Sequence, residues 1–448
     1  MREIEFISGC LSFQGWEVKK WHLEGEDVHV WLEPVDVVQS SCGECGCAVS
    51  VRKGFLPGRT VRHLGFWHRK TFLHFRQRRF HCPRCRKVVP EHLEWCAPYR
   101  RHTVMFEQLC ASLCDRVAVT DVARQMQVDK MALYAMDEAW IGLRAEKFRV
   151  SLEGIRYLGI DEIMVGRREE SVLMDRPSLV VPKAGKASRK RACVVRPNFA
   201  TLVYDLGSGR LVAIAEGRDS KTAVRLLKSL GKDVLSGVEA VCMDMAACYK
   251  KAVSKVLPTA KIVFDRFHVK KYVNEAVEEV RKVAQAEAEG EGGMRKFIFN
   301  QRWLLLRSEP EEKDRWRLES LFEVNKDLAL AYQLKDQFDA IFTLGSRAEA
   351  ERELGKYISY CARSRLPSFR TLSRRLARWK PHLLNYFDHP ITNGMVEGMN
   401  NVVKRVLYRG FGYRNMRYFF GKARVATGDL PEMTELGVSI AENRFGAA

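Results

Sequence analysis

Three acids stand where carboxylates can do chemistry. Asp161 follows the apolar start of LGIDEI, Asp244 lies at the end of VEAVCMDM, and Glu397 is the one acid of TNGMVEGMNN. Seven Lys and Arg accompany that single Glu between Thr392 and Arg424. An acid at the exit of a buried strand is costly unless it is paired or metal-bound. Three carboxylates within a few ångström repel, and a divalent cation relieves the repulsion. Hard oxygen ligands with open positions suit Mg²⁺ or Mn²⁺. Two such ions, about 3.5–4 Å apart, would activate an attacking oxygen and stabilise a leaving one in phosphodiester chemistry. Plainer roles stay open for each acid. Asp161 and Asp244 also suit strand-end caps, and Glu397 suits a helix N-terminus, where the macrodipole favours an acid. Glu162, Asp205, Asp219 and Asp265 compete for the same role. Asp265 is the strongest rival because it ends KIVFD beside His268. His268 reads as a supporting or DNA-contacting residue, or as a core histidine.

A second constellation is built from thiols. Cys42-x-x-Cys45 and Cys82-x-x-Cys85 have the knuckle spacing of tetrahedral zinc, and the segment between them suits a hairpin. Cys47, His81 and Cys96 are possible substitutes for one ligand, and unrelated buried thiols are the plain alternative. With four protein ligands such a zinc would be structural, since no position stays open for chemistry.

The elements around these groups follow from periodicity. The first forty residues include alternating stretches such as EDVHVWLEP, and FLHFRQRRFHC reads as one strand leading into CPRC. Residues 103–148 shift to helical spacing. Within them, TDVARQMQVDKMALYAMDEAW suits a helix-turn-helix around 127–130, with Thr120 as N-cap, or a helical connector that only packs. From 155 onward, IRYLGIDEIMV, FATLVYDL and RLVAIAE read as a meander of strands, the last two joined at Gly207-Ser208-Gly209. Helix, strand, helix and strand follow. That order matches a ribonuclease-H-like core, in which the first and fourth strands are neighbours and bring Asp161 near Asp244. The stretch 182–191, within a loop of roughly 166–198, reads as flexible and basic. Residues 270–390 read as helices, with an exposed break at 287–293.

The expected organisation is therefore a multidomain α/β chain. Residues 1–98 form a β-rich domain with a zinc ribbon, and 99–150 a helix-turn-helix domain. A ribonuclease-H-like catalytic core spans 151–269 and 391–424 and is interrupted by a helical insertion at 270–390. Residues 425–448 form a tail.

Composition bounds the partners. The chain has 448 residues, 46% of them hydrophobic, and a net charge of +20. It can bury real cores, and it favours a polyanion such as nucleic acid or an anionic membrane surface. No run is long and apolar enough to span a membrane. The first residues lack a signal-peptide core, and thirteen cysteines suit reduced thiols, so a cytoplasmic protein is expected. From Arg52 to Lys87 there are twelve Lys and Arg and no Asp or Glu. Phosphate-contact candidates are Arg69, Arg76, Arg78 and Arg79 in that block, Arg124 and Lys130 near the helix-turn-helix, and Lys404, Arg405, Arg409 and Arg414 after Glu397.

LGIDEI, AVCMDMAACYKKAV, KIVFDRFHV and TNGMVEGMNNVVKRVLYRGFGYRN resemble, in order, the motifs of insertion-sequence transposases of the ISL-three family. The cysteine-rich N-terminus and the helix-turn-helix are similar too. The resemblance implies a DDE transposase that cuts at element ends and joins a 3′-hydroxyl to target DNA. It places the catalytic acids at Asp161, Asp244 and Glu397, with Mg²⁺ or Mn²⁺ as cofactor. It also implies binding to double-stranded DNA at terminal inverted repeats and at the target, as a homodimer on DNA. The separations, 83 residues (244 − 161) and 153 (397 − 244), leave room for the helical insertion. The 166–198 loop is longer than the family's usual hairpin. A structure-selective nuclease of the same fold would use the same acids without joining strands. A transposase-derived repressor would bind DNA without needing all three.

Overall fold

The structure, a computed structural model, describes every residue except 1, 12, 36–38, 67, 148–151, 174–190, 289–291, 308–309 and 432–448. The loop expected at 182–191 and the tail beyond 431 therefore lie largely outside the described residues. The chain divides into two compact units, Met1–Arg149 with Leu430–Ala448, and Val150–Asp429.

The first unit holds a four-stranded sheet, ordered Trp16–Glu24, Asp27–Pro34, Arg69–Phe75, Arg59–Phe66. Alternation buries Val28, Val30, Leu32, Val61, Leu73 and Phe75 on one face, against Trp16 and Trp95. A three-stranded ribbon stands apart: Arg52–Phe55, Arg78–Cys82 and Lys87–Pro90. FLHFRQRRFHC is thus two strands in two sheets. The break falls at Arg76-Gln77, where Gln77 gives its side chain to Glu91 O at 2.6 Å and its carbonyl to Leu56 N–H at 2.8 Å. Helices follow at Val104–Arg116, Val119–Met126 and Lys130–Lys147. Gln127 takes a left-handed conformation (φ 50°) that ends the second and turns the chain into the third. Thr120 is not the cap, because the N-cap falls two residues earlier, on Ala118. The buried ion pair Arg144–Asp115, 2.8 Å, joins the first and third of these helices.

The second unit is built on five strands: β1 (Tyr157–Leu173), β2 (Arg191–Asp205), β3 (Leu211–Glu216), β4 (Ala240–Met243) and β5 (Lys261–Phe264). Their order is β3-β2-β1-β4-β5. The first three pair antiparallel, while β4 and β5 add parallel to β1. The connecting helices are α1 (Ser220–Lys228) and α2 (Ala247–Val256). The expected loop after β1 is shorter than its reading. Gly166–Leu173 continues β1, pairing with Arg191–Asn198 as an outward extension of the hairpin. Charged residues such as Arg167 and Arg196 hid these strands from an apolar pattern.

Helix α3 (Arg266–Glu287) leaves β5 directly, so the helical region begins before residue 270. Among the described residues six α-helices follow between Gly292 and Leu384. Leu305, Leu321, Phe338, Tyr357 and Phe369 bury together there, in one core with the sheet residues Ile160, Val241 and Phe264. The chain then returns as α4 (Gly394–Arg409) and α5 (Met416–Ala426) on the opposite face, over Leu202, Tyr204 and Ile163.

Candidate active site and metal centre

Register sets the site. Ile160 pairs with Met243, and Met243 with Phe264, across three parallel strands. The next residue on each is an aspartate: Asp161, Asp244 and Asp265. Strands lie about 4.8 Å apart, so three carboxyl groups line one sheet edge. That edge is at the carboxyl ends of the strands, where open α/β sheets hold their ligands. Here β1 parts from β4 and continues with β2 alone.

Strand alternation separates Asp161 from Glu162. Asp161 shares the α4 face with Gly159 and Ile163, whereas Glu162 turns toward α2. Glu162 accepts from Tyr249 Oη at 2.7 Å and pairs with Arg218 at 3.4 Å. Other rivals are engaged locally. Asp219 caps α1 by accepting from Thr222 N–H at 2.8 Å. Asp205 accepts from Gly207 and Ser208 in the hairpin turn. Asp265 caps α3 through Phe267 N–H and is 2% exposed.

Glu397 stands on α4, the helix seated against β1. Asn393, Glu397 and Asn400 fall at i, i+4 and i+7, along one helix face. Asn393 Nδ2 donates to Ile160 O at 3.3 Å, and Asn400 Nδ2 donates to Asp161 Oδ2 at 2.7 Å. Glu397, exposed and in the first turn, lies between these two anchors. Gly159 permits the approach: a Cβ there would meet Val396 Cγ2 at 2.9 Å and Asn393 Oδ1 at 3.1 Å. Among the described residues only the four ribbon thiols bring three or more ligand atoms within 4.8 Å of one another, so no three of the acids come that close together.

Burial pushes the Asp161, Asp244 and Asp265 carboxyls above their ordinary range. The Glu162 N–H and the Asn400 amide oppose the shift at Asp161, while the Asp244 charge adds to it. The His268 imidazole opposes the shift at all three aspartates. His268 thus sits among the acids, half-buried, with Nδ1 making no hydrogen bond among the described residues. Asp161 and Asp244, destabilised as anions and partly exposed, are chemically suited to a hard divalent cation.

In the ribbon, Sγ of Cys42, Cys45, Cys82 and Cys85 all lie within 4.8 Å of one another. Sulfurs 3.6 Å (Cys45–Cys82) and 3.9 Å (Cys42–Cys85) apart match the roughly 3.8 Å edge of a tetrahedron with Zn–S near 2.3 Å. Backbone N–H groups of Glu44 and Cys45 point at Cys42 Sγ, and that of Cys85 points at Cys82 Sγ. These four thiols fit one structural zinc. Cys47 lies beside them, 3.3 Å from Cys82 Sγ. Cys96 is elsewhere, buried in the sheet core against Arg59, and His81 is exposed.

The basic candidates divide. Arg76 and Arg79 are exposed, and Arg76 lies over the Phe55 ring. Arg124 is exposed beside Asp121, and Lys130 is exposed beside Tyr134. Arg69 is half-buried and reaches Gly25 O. Arg405 and Arg414 are exposed, and Lys404 and Arg409 partly so. Arg78 is the correction. It is 5% exposed and doubly bonded to buried Glu91 at 2.8 and 2.9 Å, so its charge is spent inside the ribbon. Gly159, Tyr204, Asn393 and Asn400 also pack or bond at this site, outside the expected residues. The repeat of Asn on both sides of Glu397 was the available signal.

Family comparisons agree with this layout. Residues 39–85 match the model described as "zinc-finger of transposase IS204/IS1001/IS1096/IS1165", and 91–141 the "Helix-turn-helix domain of transposase family ISL3". Residues 188–423 match the ISL3 DDE model, described as "Transposase", a span that includes Asp244 and Glu397 and begins after Asp161. Zinc ribbon, helix-turn-helix and DDE transposase domain, in that order, define a DNA-transposing class of protein. The chain belongs to the ISL3 family of transposases. It is 27% identical to the transposase for insertion sequence element IS1001 of Bordetella parapertussis, over 95% of this chain and 98% of the relative. It is 24% identical to the transposase for IS1557 of Mycobacterium tuberculosis, over 88% and 86%. Among the described residues no helix is long and apolar enough to cross a membrane.

Proposed function

We propose that this transposase binds the terminal inverted repeats of an insertion sequence and cuts and joins DNA through Asp161, Asp244 and Glu397. On this reading the five-stranded sheet is a ribonuclease-H-like core with a helical insertion, and the enzyme works as a homodimer on DNA. The carrying observation is the shared level of Asp161 and Asp244 where the parallel pairing of their adjacent strands ends, with Asp161 bonded to the helix that bears Glu397. Two Mg²⁺ or Mn²⁺ ions held there would activate the attacking oxygen and stabilise the leaving one. Asp161 and Asp244 would hold the ions from the sheet, and Glu397 from above. Arg405, Arg409 and Arg414, downstream of Glu397, would fix the DNA backbone by its phosphates. Arg76, Arg79, Arg124 and Lys130 would serve end binding in the N-terminal unit, and His268 would contact DNA or balance the acids.

The test is a reaction with Mg²⁺, a labelled terminal-repeat duplex and a target plasmid. Strand joining that disappears in Asp161→Asn, Asp244→Asn and Glu397→Gln, with repeat binding retained, is the expected result. Cleavage without joining, or binding without any cleavage, would overturn it.

A further inference from the structure

Asp161 is held by a chain of two buried residues that nothing in its motif announces. Tyr204, fully buried on β2, donates its hydroxyl to Asn400 Oδ1 at 2.8 Å. Asn400, 4% exposed on α4, donates Nδ2–H to Asp161 Oδ2 at 2.7 Å. The Glu162 N–H takes Asp161 Oδ1 at 2.8 Å. The directions are enforced. An ionised carboxylate only accepts, so Asn400 must turn its NH₂ toward Asp161 and its carbonyl toward Tyr204. Tyr204 then has to donate. Each Asp161 oxygen has one lone pair tied down and another left for the open edge.

We propose that Asn400, locked by Tyr204, is a positioning residue that fixes the Asp161 carboxylate in the orientation needed to bind the catalytic cation. This rests on the assignment of Asp161 as a metal ligand. Support from outside the ligand set is a recurring device at metal sites: a partner fixes the ligand's rotamer, and its loss typically costs about 10–100-fold in metal affinity or activity. The clamp also ties two parts of the site together. Asn400 sits seven residues after Asn393 and three after Glu397, so the contact that orients Asp161 also seats the helix that delivers Glu397.

The primary measurement is Mn²⁺ binding to the full-length protein, followed by electron paramagnetic resonance and calorimetry, with Asp161→Asn as reference. Asn400→Leu keeps the side chain's volume, adds no charge and removes the donor to Asp161. It should weaken Mn²⁺ binding about 10–100-fold. Tyr204→Phe keeps the ring and frees the amide. It should weaken binding less, about threefold to tenfold, with a melting temperature near wild type. Asn400→Leu should move the acid limb of the cleavage pH profile upward, because the N–H that stabilises ionised Asp161 is gone. Wild-type Mn²⁺ affinity in Asn400→Leu and Tyr204→Phe, with an unmoved acid limb in Asn400→Leu, would overturn the proposal. So would a uniform loss that tracks melting temperature alone, or Mn²⁺ binding indifferent to Asp161→Asn. Wild-type protein that binds Mn²⁺ through Asp161 but joins no strands would leave the clamp standing and defeat the strand-transfer reading instead.

Discussion

Replacing Gly159 by alanine tests how sheet and helix build the site. The added methyl would lie 2.8 Å from Leu206 Cδ2, 2.9 Å from Val396 Cγ2 and 3.1 Å from Asn393 Oδ1. Carbon atoms pack best at about 3.5–4.0 Å, so α4 must lift by a large fraction of an ångström. Leu206 can rotate away, but Val396 and Asn393 are both fixed to the start of α4. Overpacking of this kind costs about 1–3 kcal/mol. At about 2–4 °C per kcal/mol for a body of this size, melting of the second unit should fall by about 2–12 °C. Glu397 rides on the displaced turn, and a misplacement near 1 Å costs on the order of 100-fold in rate. Scanning calorimetry and Mg²⁺-dependent cleavage of a terminal-repeat duplex read both effects, while repeat binding should persist. Full stability together with full cleavage in Gly159→Ala would refute the view that α4 is seated on β1 at this glycine.

Other perturbations have equally definite outcomes. Glu91→Ala leaves Arg78 charged and buried, so denaturant unfolding of the N-terminal unit should lose about 3–5 kcal/mol, and replacing both residues by methionine should recover most of it. Metal analysis should find about one zinc per chain, lost in Cys82→Ser together with the ribbon's protection from proteolysis. The raised carboxyls of Asp161, Asp244 and Asp265 bind protons more tightly folded than unfolded. Their contribution to stability is full below the unfolded carboxyl range and is lost as pH rises through the folded values. Metal-free protein should therefore lose melting temperature across that window, Asp244→Asn should flatten the loss, and Mg²⁺ at neutral pH should reverse it.

Much of this was legible because burial writes itself into apolar patterns. The strands carrying Asp161 and Asp244 are apolar runs ending in an acid, and their order implied adjacency. What the pattern lacked was register. That Asp161, Asp244 and Asp265 stand level depends on the pairings Ile160–Met243 and Met243–Phe264, 83 (243 − 160) and 21 (264 − 243) positions apart. Glu162 could be set aside only once alternation and Tyr249 placed it on the other face. Arg78 looked like one more surface arginine in a basic run. Its inward turn depends on Glu91, thirteen residues on, in the neighbouring strand segment. The outward extension of β1 and β2 escaped notice because its described side chains, such as Arg167 and Arg196, carry no buried face to read. The four thiols were the easiest to see, since their spacing is itself the geometry.

The most direct measurement is anomalous diffraction from Mn²⁺ in crystals of the protein bound to terminal-repeat DNA. The account predicts manganese peaks bonded to carboxylate oxygens of Asp161, Asp244 and Glu397 beside the scissile phosphate. Peaks held by Glu162 or Asp265 instead, or a Glu397 carboxylate turned away from every metal, would contradict it.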